Sequence, residues 1–411
     1  MSRSEVSGFL WGRRWARRGL GLLAGAVVAD LVLSAPLFAA EMGSTSSSSE
    51  GPEPWAKVEI VQISELWTVP HGGEGPAVAY TGLLSAGAVF DLQAAAQLKG
   101  ASFGISGLFL QGRDISAISV GDAGVVSNIA GEQTLRFFTA WYEQLFFEES
   151  VALKLGVLAL DDDFIIADSA QLFVNSGFGT IQTLALNIQT PIYPLSGFGL
   201  RLKIQGPNGW LGQVGLYDGD GGTELGNRYH PDIALESRGL LTAIAEVSLT
   251  RANGQRWALG AVAHLGQLSD YASGQRDRGL GILYGFYEGL PFRLGGSELR
   301  SFAHVSLAVP TERAVSIAYA DVGAVLSGDL WGRSDDFVGL GVTWTVFGSA
   351  YTSAATANGE TATRMEWVVE ATYALSVFSW LKVQPTLQWV LGAHTTGRDA
   401  AVFGLRASLF L

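Results

Sequence analysis

The sequence predicts an all-β fold: a transmembrane antiparallel β-barrel of about 16 strands, with short periplasmic turns, long external loops and one long loop folded into the lumen. Three observations predict it. The chain is 48% hydrophobic and only 16% charged, with a mean hydropathy of +0.26. A soluble protein is nearer ~25% charged. Yet beyond the N-terminus no apolar run reaches the ~18 residues of a membrane helix, so the apolar residues are dispersed at every second position. Sixteen β-rich segments follow from Lys57 to Leu411, and most match the ~9–11 residues of a tilted membrane strand. The connections between them alternate short and long, as the two ends of such a barrel require.

Residues 1–40 read as a signal peptide: Arg13, Arg14, Arg17 and Arg18, then an apolar run from Gly19 to Leu33, then the small residues Ala39 and Ala40. An uncleaved anchor is the alternative, and the paired arginines also admit a twin-arginine route. Residues 41–56 form a Ser-, Gly-, Glu- and Pro-rich tether, and residues 57–411 the barrel. Strands begin near Lys57, Val78, Ser102, Arg136, Val151, Gly197, Trp210, Gly239, Arg256, Gly279, Glu298, Ser316, Asp336, Arg364, Trp380 and Ala401. Only Glu148, Glu149 and Ser150 separate the fourth from the fifth, which makes a tight hairpin. Short turns also fall at Gly206–Gly209, Arg251–Gln255 and Ser376–Ser379, and long loops at Gly112–Leu135, Ala159–Ser196, Gly219–Arg238 and Gly348–Thr363.

Alternation gives the sides. Met365, Trp367, Val369, Ala371, Tyr373 and Leu375 share one face, and Arg364, Glu366, Glu370 and Thr372 the other. In the next strand Leu381, Val383, Leu387, Trp389 and Leu391 oppose Lys382, Gln384, Thr386 and Gln388. A packed core could not satisfy those charges, so the apolar face meets lipid and the polar face lines a lumen. Trp257, Trp331, Trp367 and Trp380 suit interfacial girdles.

Several classes are excluded. With no cysteine there are no disulfides, thiol catalysis or zinc–thiolate sites. Net charge is −12, and without the signal segment 21 basic residues face 36 acidic ones, a poor nucleic-acid binder. The glycine strings do not precede helices, the five histidines lack metal-like spacing and no G-x-S-x-G elbow occurs. No enzyme, cofactor or metal is therefore expected. Asp218 and Asp220 have oxygen-rich spacing suited to Ca²⁺, but this is no EF-hand loop and a turn is the preferred reading. An outer-membrane enzyme and a closed structural barrel remain as competing classes.

A series of segments then resembles the carbohydrate-selective porins of the OprB type: YTGLLSAGAVFDL (80–92), FLQGRDIS (109–116), VSNIAG (126–131), WYEQLFF (141–147), LDDDFIIADSAQLFVNSGFG (160–179) and YPLSGFGLRLKIQ (193–205). VGLYDGDGG (214–222), GLLTAIAEV (239–247), SDDFVGLGV (334–342) and LKVQPTLQWV (381–390) continue it. The resemblance implies passive diffusion of monosaccharides or similar polyols through an eyelet of arginines, carboxylates and aromatics. It also implies an outer-membrane location among lipid, insertion by the barrel-assembly machinery, and a monomer. Two departures stand out. Thr139-Ala140 replaces an acidic residue before the WYEQ-like motif, and Leu411 follows the terminal Phe410.

A sugar presents hydroxyls around apolar C–H faces, so its site needs charged partners and an aromatic. The substrate-binding candidates are Arg113, Trp141, Glu143, Asp161, Asp163 and Asp168. Strand 4 admits two parities. Turning Glu143 to lipid would cost a few kcal/mol, which puts Phe137, Trp141 and Glu143 inward. Lys154, Arg201, Glu246, Arg364, Glu366 and Glu370 follow by alternation, mainly to set the field. A general or organic-acid-passing porin is the alternative function.

Overall fold

The structure, a computed structural model, describes residues 55–219, 229–230, 241–289 and 292–411. The signal segment, most of the tether, Asp220 and the predicted strand start at Gly239 lie outside the described residues. Strands alternate up and down in one antiparallel sheet that closes where β1 (Ala56–Gly72) pairs with β17 (Ala400–Phe410). In order between them run β2 (Ala77–Asp91), β3 (Ala101–Gly112), β4 (Thr134–Phe146), β5 (Val151–Leu158), β6 (Gly197–Gln205), β7 (Trp210–Asp218) and β8 (Leu241–Thr250). Then come β9 (Arg256–Ser269), β10 (Arg276–Glu288), β11 (Phe292–Leu294), β12 (Ser297–Val309), β13 (Ser316–Ser327), β14 (Phe337–Phe347), β15 (Met365–Phe378) and β16 (Leu381–Leu391). β11 has three residues and merely extends β12 at the periplasmic rim, while β10 pairs directly with β12. Seventeen strands less β11 leaves a barrel of sixteen staves. There is no open edge for a further chain to join.

The alternation has the anticipated sense. Outward Met365, Trp367, Leu387 and Trp389 are exposed, whereas inward Glu366, Glu370, Thr386 and Gln388 are buried. No helix of the described residues is long and apolar enough to cross a membrane. Ring pairs such as Trp344–Trp367, 5.5 Å apart, and Phe378–Trp380, 5.1 Å apart, lie on the outward face.

A bulge corrects the fourth strand. Gly107 pairs with Phe137 but Ile105 with Ala140, so Phe138 and Thr139 together oppose Ser106. The extra residue reverses the parity above it. Trp141 and Glu143 face the lumen as expected, but Phe137 does not share their side. Phe138 points in, edge-on to Tyr193 at 6.2 Å, and Phe137 packs against His230.

Candidate functional site

Two loops occupy the lumen. The inner loop between β5 and β6 enters as short helical turns of three to five residues and packs its apolar side chains on the wall, with Phe164, Ile165, Ile181, Leu184 and Ile188 among Ile244, Val262, Ile282 and Tyr319. Further round, Phe173 and Phe178 meet Phe286 and Phe302. Buried backbone needs partners, and wall carboxylates supply them. Glu246 accepts from Ile165 N at 3.1 Å and Glu288 from Ser169 N at 2.7 Å. Glu370 accepts from Val174 N and Asn175 N, each at 2.8 Å. Asn187 bonds the backbone of Ser316 in both directions, and Tyr319 donates to Gly177 O. The loop is thereby tied to β8, β10, β13 and β15 in turn.

The loop between β3 and β4, expected to lie outside, also folds in. Glu366 accepts from Ala123 N and Gly124 N, each at 2.9 Å. Ser127 donates to Glu65 at 2.6 Å, and Arg406 bonds both Glu65 and Asn128. The two loops join each other through Asn128 N to Val174 O, 2.7 Å, and Ser176 N to Val125 O, 2.9 Å.

On the wall from β4 to β9 the charged side chains meet one another. Arg201 on β6 donates to Glu143 on β4 at 2.8 Å and to Asp163 of the inner loop at 2.9 Å. Lys154 on β5 reaches the other oxygen of Asp163 at 3.0 Å. The Lys154 ammonium also lies 4.9 Å from the Trp141 ring centre, within range of a cation–π contact. That ring lies across Gly104, where a Cβ would come within 2.3 Å of it. Gln213 carries the chain onward, donating to Asp163 O at 2.7 Å and to Glu246 at 3.2 Å. Tyr284 donates to Glu246 at 2.9 Å. Burial pushes Asp163 up, but Lys154 and Arg201 more than offset it and hold this carboxyl below its usual range. Burial, then the charge of Asp161, pushes Asp162 up to about 8, and burial pushes Asp161 up to about 6.

Of the six candidates, Trp141, Glu143 and Asp163 come together here. Asp161 accepts from Tyr193 N at 3.0 Å and braces the loop's exit. Asp168 opens the turn Asp168–Leu172, and Arg113 is exposed where β3 ends, its side chain outside this network. Arg364 is likewise exposed, one residue before β15. Gln213 and Tyr284 escaped the sequence reading, although period-two alternation in β7 and β10 would have turned both inward. Among the described residues no group of His, Asp or Glu could hold a metal ion, and Asp218 closes β7.

Residues 76–409 match the family model described as carbohydrate-selective porin, OprB family. No curated protein matches the chain. Among solved structures, the high-pH structure of Pseudomonas putida OprB superposes with a TM-score of 0.78 at 20% identity, covering 87% of this chain and 94% of that one. Its low-pH structure gives 0.55 at 17% identity, covering 87% and 92%. A loop-deleted OmpT of Vibrio cholerae gives 0.50 at 10%, covering 87% and 99%. At these identities the structural likeness speaks for the fold.

Proposed function

Because the chain belongs to the carbohydrate-selective porin family, OprB type, we propose that its sugar selectivity resides in the network of Trp141, Glu143, Lys154, Asp163 and Arg201. The protein is a sugar-selective outer-membrane porin, and its family and fold are those of a channel. The observation that carries the reading is Asp163, a loop carboxylate delivered to two wall cations beside an aromatic ring.

Each group has a task that follows from its chemistry. Glu143 and Asp163 accept hydrogen bonds from sugar hydroxyls, and Lys154 and Arg201 donate to sugar oxygens. The indole of Trp141 offers a flat apolar surface to the C–H face. Most of these groups already satisfy one another, with Arg201 Nη1 left without a partner, so a passing sugar mainly exchanges partners. Binding stays weak, as permeation requires. Asp161 holds the loop that carries Asp163. Arg113 and Asp168 are proposed to tune the approach rather than the narrowest point.

Export with removal of residues 1–40, followed by insertion among outer-membrane lipid by the barrel-assembly machinery, completes the reading. The test is single-channel conductance of the mature chain in a planar bilayer, with glucose titrated as a blocker beside an organic acid. Saturable block by glucose that weakens in Glu143→Gln is the expected result. Conductance indifferent to glucose refutes the assignment, and preferential passage of the acid favours an organic-acid porin.

A further inference from the structure

Where the two inner loops meet, two primary amides are buried together. Asn175 of the β5–β6 loop, Gln388 on β16 and Glu370 beside them are each 0% exposed. A buried amide without partners is costly, and here every polar atom of both side chains has one. The Asn175 Nδ2 donates to Gly124 O of the β3–β4 loop at 2.7 Å and to Gln388 Oε1 at 3.0 Å, while Asn175 Oδ1 accepts from Gly177 N at 2.9 Å. The Gln388 Nε2 donates to Val126 O at 2.8 Å and to Glu370 at 3.2 Å.

The pair fits in one orientation. Turning either amide over would set its NH₂ against another donor and its oxygen against a carbonyl or carboxylate. The space is tight as well: a Cβ on Gly177 would come within 2.9 Å of Asn175 Oδ1, and one on Gly124 within 3.2 Å.

None of these bonds belongs to the ladders between staves, so closure of the barrel does not depend on them. A buried polar network that is fully satisfied rigidifies its surroundings and specifies one packing. What it specifies here is the position of one loop against the other, because Gln388 holds Val126 of the first and Asn175 of the second.

We propose that Asn175 and Gln388 are positioning residues that set the size limit of the pore. The rim of the constriction runs from the charged wall on β4, β5 and β6 along the inner loop from Asp163 to Asn175, crosses at the amide pair, and returns through Val126 to β4. With the crossing fixed, the rim has one width. With it broken, the loops part and larger solutes enter. Neither residue touches the passing sugar, and the inference concerns solute size, so it stands whether or not glucose binds at the charged network.

Liposome swelling with the mature chain reads the limit, using glucose, sucrose and raffinose as uncharged probes of rising size. Asn175→Asp keeps the side chain's shape and its bond to Gly177 N but turns an oxygen on Gly124 O and Gln388 Oε1. Gln388→Leu removes the stave's side of the pair. Thr386→Val, two residues along β16, is the control: it breaks the 2.8 Å bond from Thr372 to Thr386, which joins two staves. Heat-modified gel mobility identifies the folded barrels, and Asn175→Ala takes the place of Asn175→Asp where the charge prevents assembly. The sucrose-to-glucose rate ratio should rise severalfold in each single variant, no further in the double variant than in either alone, and not at all in Thr386→Val. An unchanged ratio in the folded single variants overturns the proposal. So does an equal rise in Thr386→Val, since any loosening of the wall would then admit sucrose.

Discussion

Substituting Asp163→Asn tests whether the loop carboxylate sets the character of the pore. The change keeps the side chain's size but leaves Lys154 without its carboxylate, while Arg201 retains Glu143. The lumen gains one positive charge. A unit charge about 8 Å from a passing ion contributes about 0.5 kcal/mol at a dielectric constant of about 80 and about 2 kcal/mol at about 20. A wet lumen lies near the lower figure. Cation occupancy should then fall about 2-fold and anion occupancy rise about 2-fold, changing the permeability ratio by about 4-fold. Weakening one acceptor should cost glucose about 0.5–1.5 kcal/mol, or roughly 2- to 10-fold in blocking affinity. The loop itself should stay in place, because Glu246, Glu288 and Glu370 still hold it. Reversal potentials under a salt gradient and glucose block in planar bilayers read both effects. An unchanged ratio would refute the placement of Asp163 at the ion path, and a large rise in open conductance would show it to be an anchor instead.

Glu370→Ala strips the acceptor from two loop N–H groups at 2.8 Å, at about 1–3 kcal/mol each. Lower thermal stability and a larger, noisier conductance should follow, and an unaltered melting profile would count against the anchoring. Gly104→Ala drives a methyl into the Trp141 ring. Glucose block should weaken while barrel folding on heat-modified gels stays normal. For pH, Asp161 and Asp162 have folded values raised to about 6 and about 8, above the ~3.9 of an unfolded aspartate. Their stabilisation is complete below that unfolded value, falls as pH rises above about 4, and is gone once pH has passed through about 6 for Asp161 and about 8 for Asp162. Heat resistance should therefore fall over that window while cation preference grows. Asp162→Asn should flatten both trends, and a flat wild-type profile would refute the assignment.

The staves were legible because period two and strand length are written residue by residue. Starts such as Val151, Gly197, Trp210, Arg256 and Ser316 coincide with those observed. Alternation likewise found Glu366 and Glu370 inside, but not what they do. Their partners are main-chain N–H groups of Ala123, Gly124, Val174 and Asn175, and a backbone amide has no sequence signature. The loop from β3 to β4 was missed for the same reason. Its glycines, serines and asparagine suit water as well as a polar wall. Phe137 was misplaced by a bulge that no residue type announces. The three adjacent aspartates could not be ranked, since only the fold brings Lys154 and Arg201 to Asp163.

The link between the two loops has a mechanical consequence. One loop is rooted between β3 and β4 and fastened to β1, β15 and β17. The other is rooted between β5 and β6 and fastened from β8 round to β15, and they are bonded where they meet. An empty hoop flattens readily when squeezed from the side, but one with spokes cannot become oval without snapping them. Membrane pressure on this barrel is therefore borne across its diameter as well as around its rim, and the aperture that sorts solutes keeps its shape as the surrounding bilayer thickens or thins.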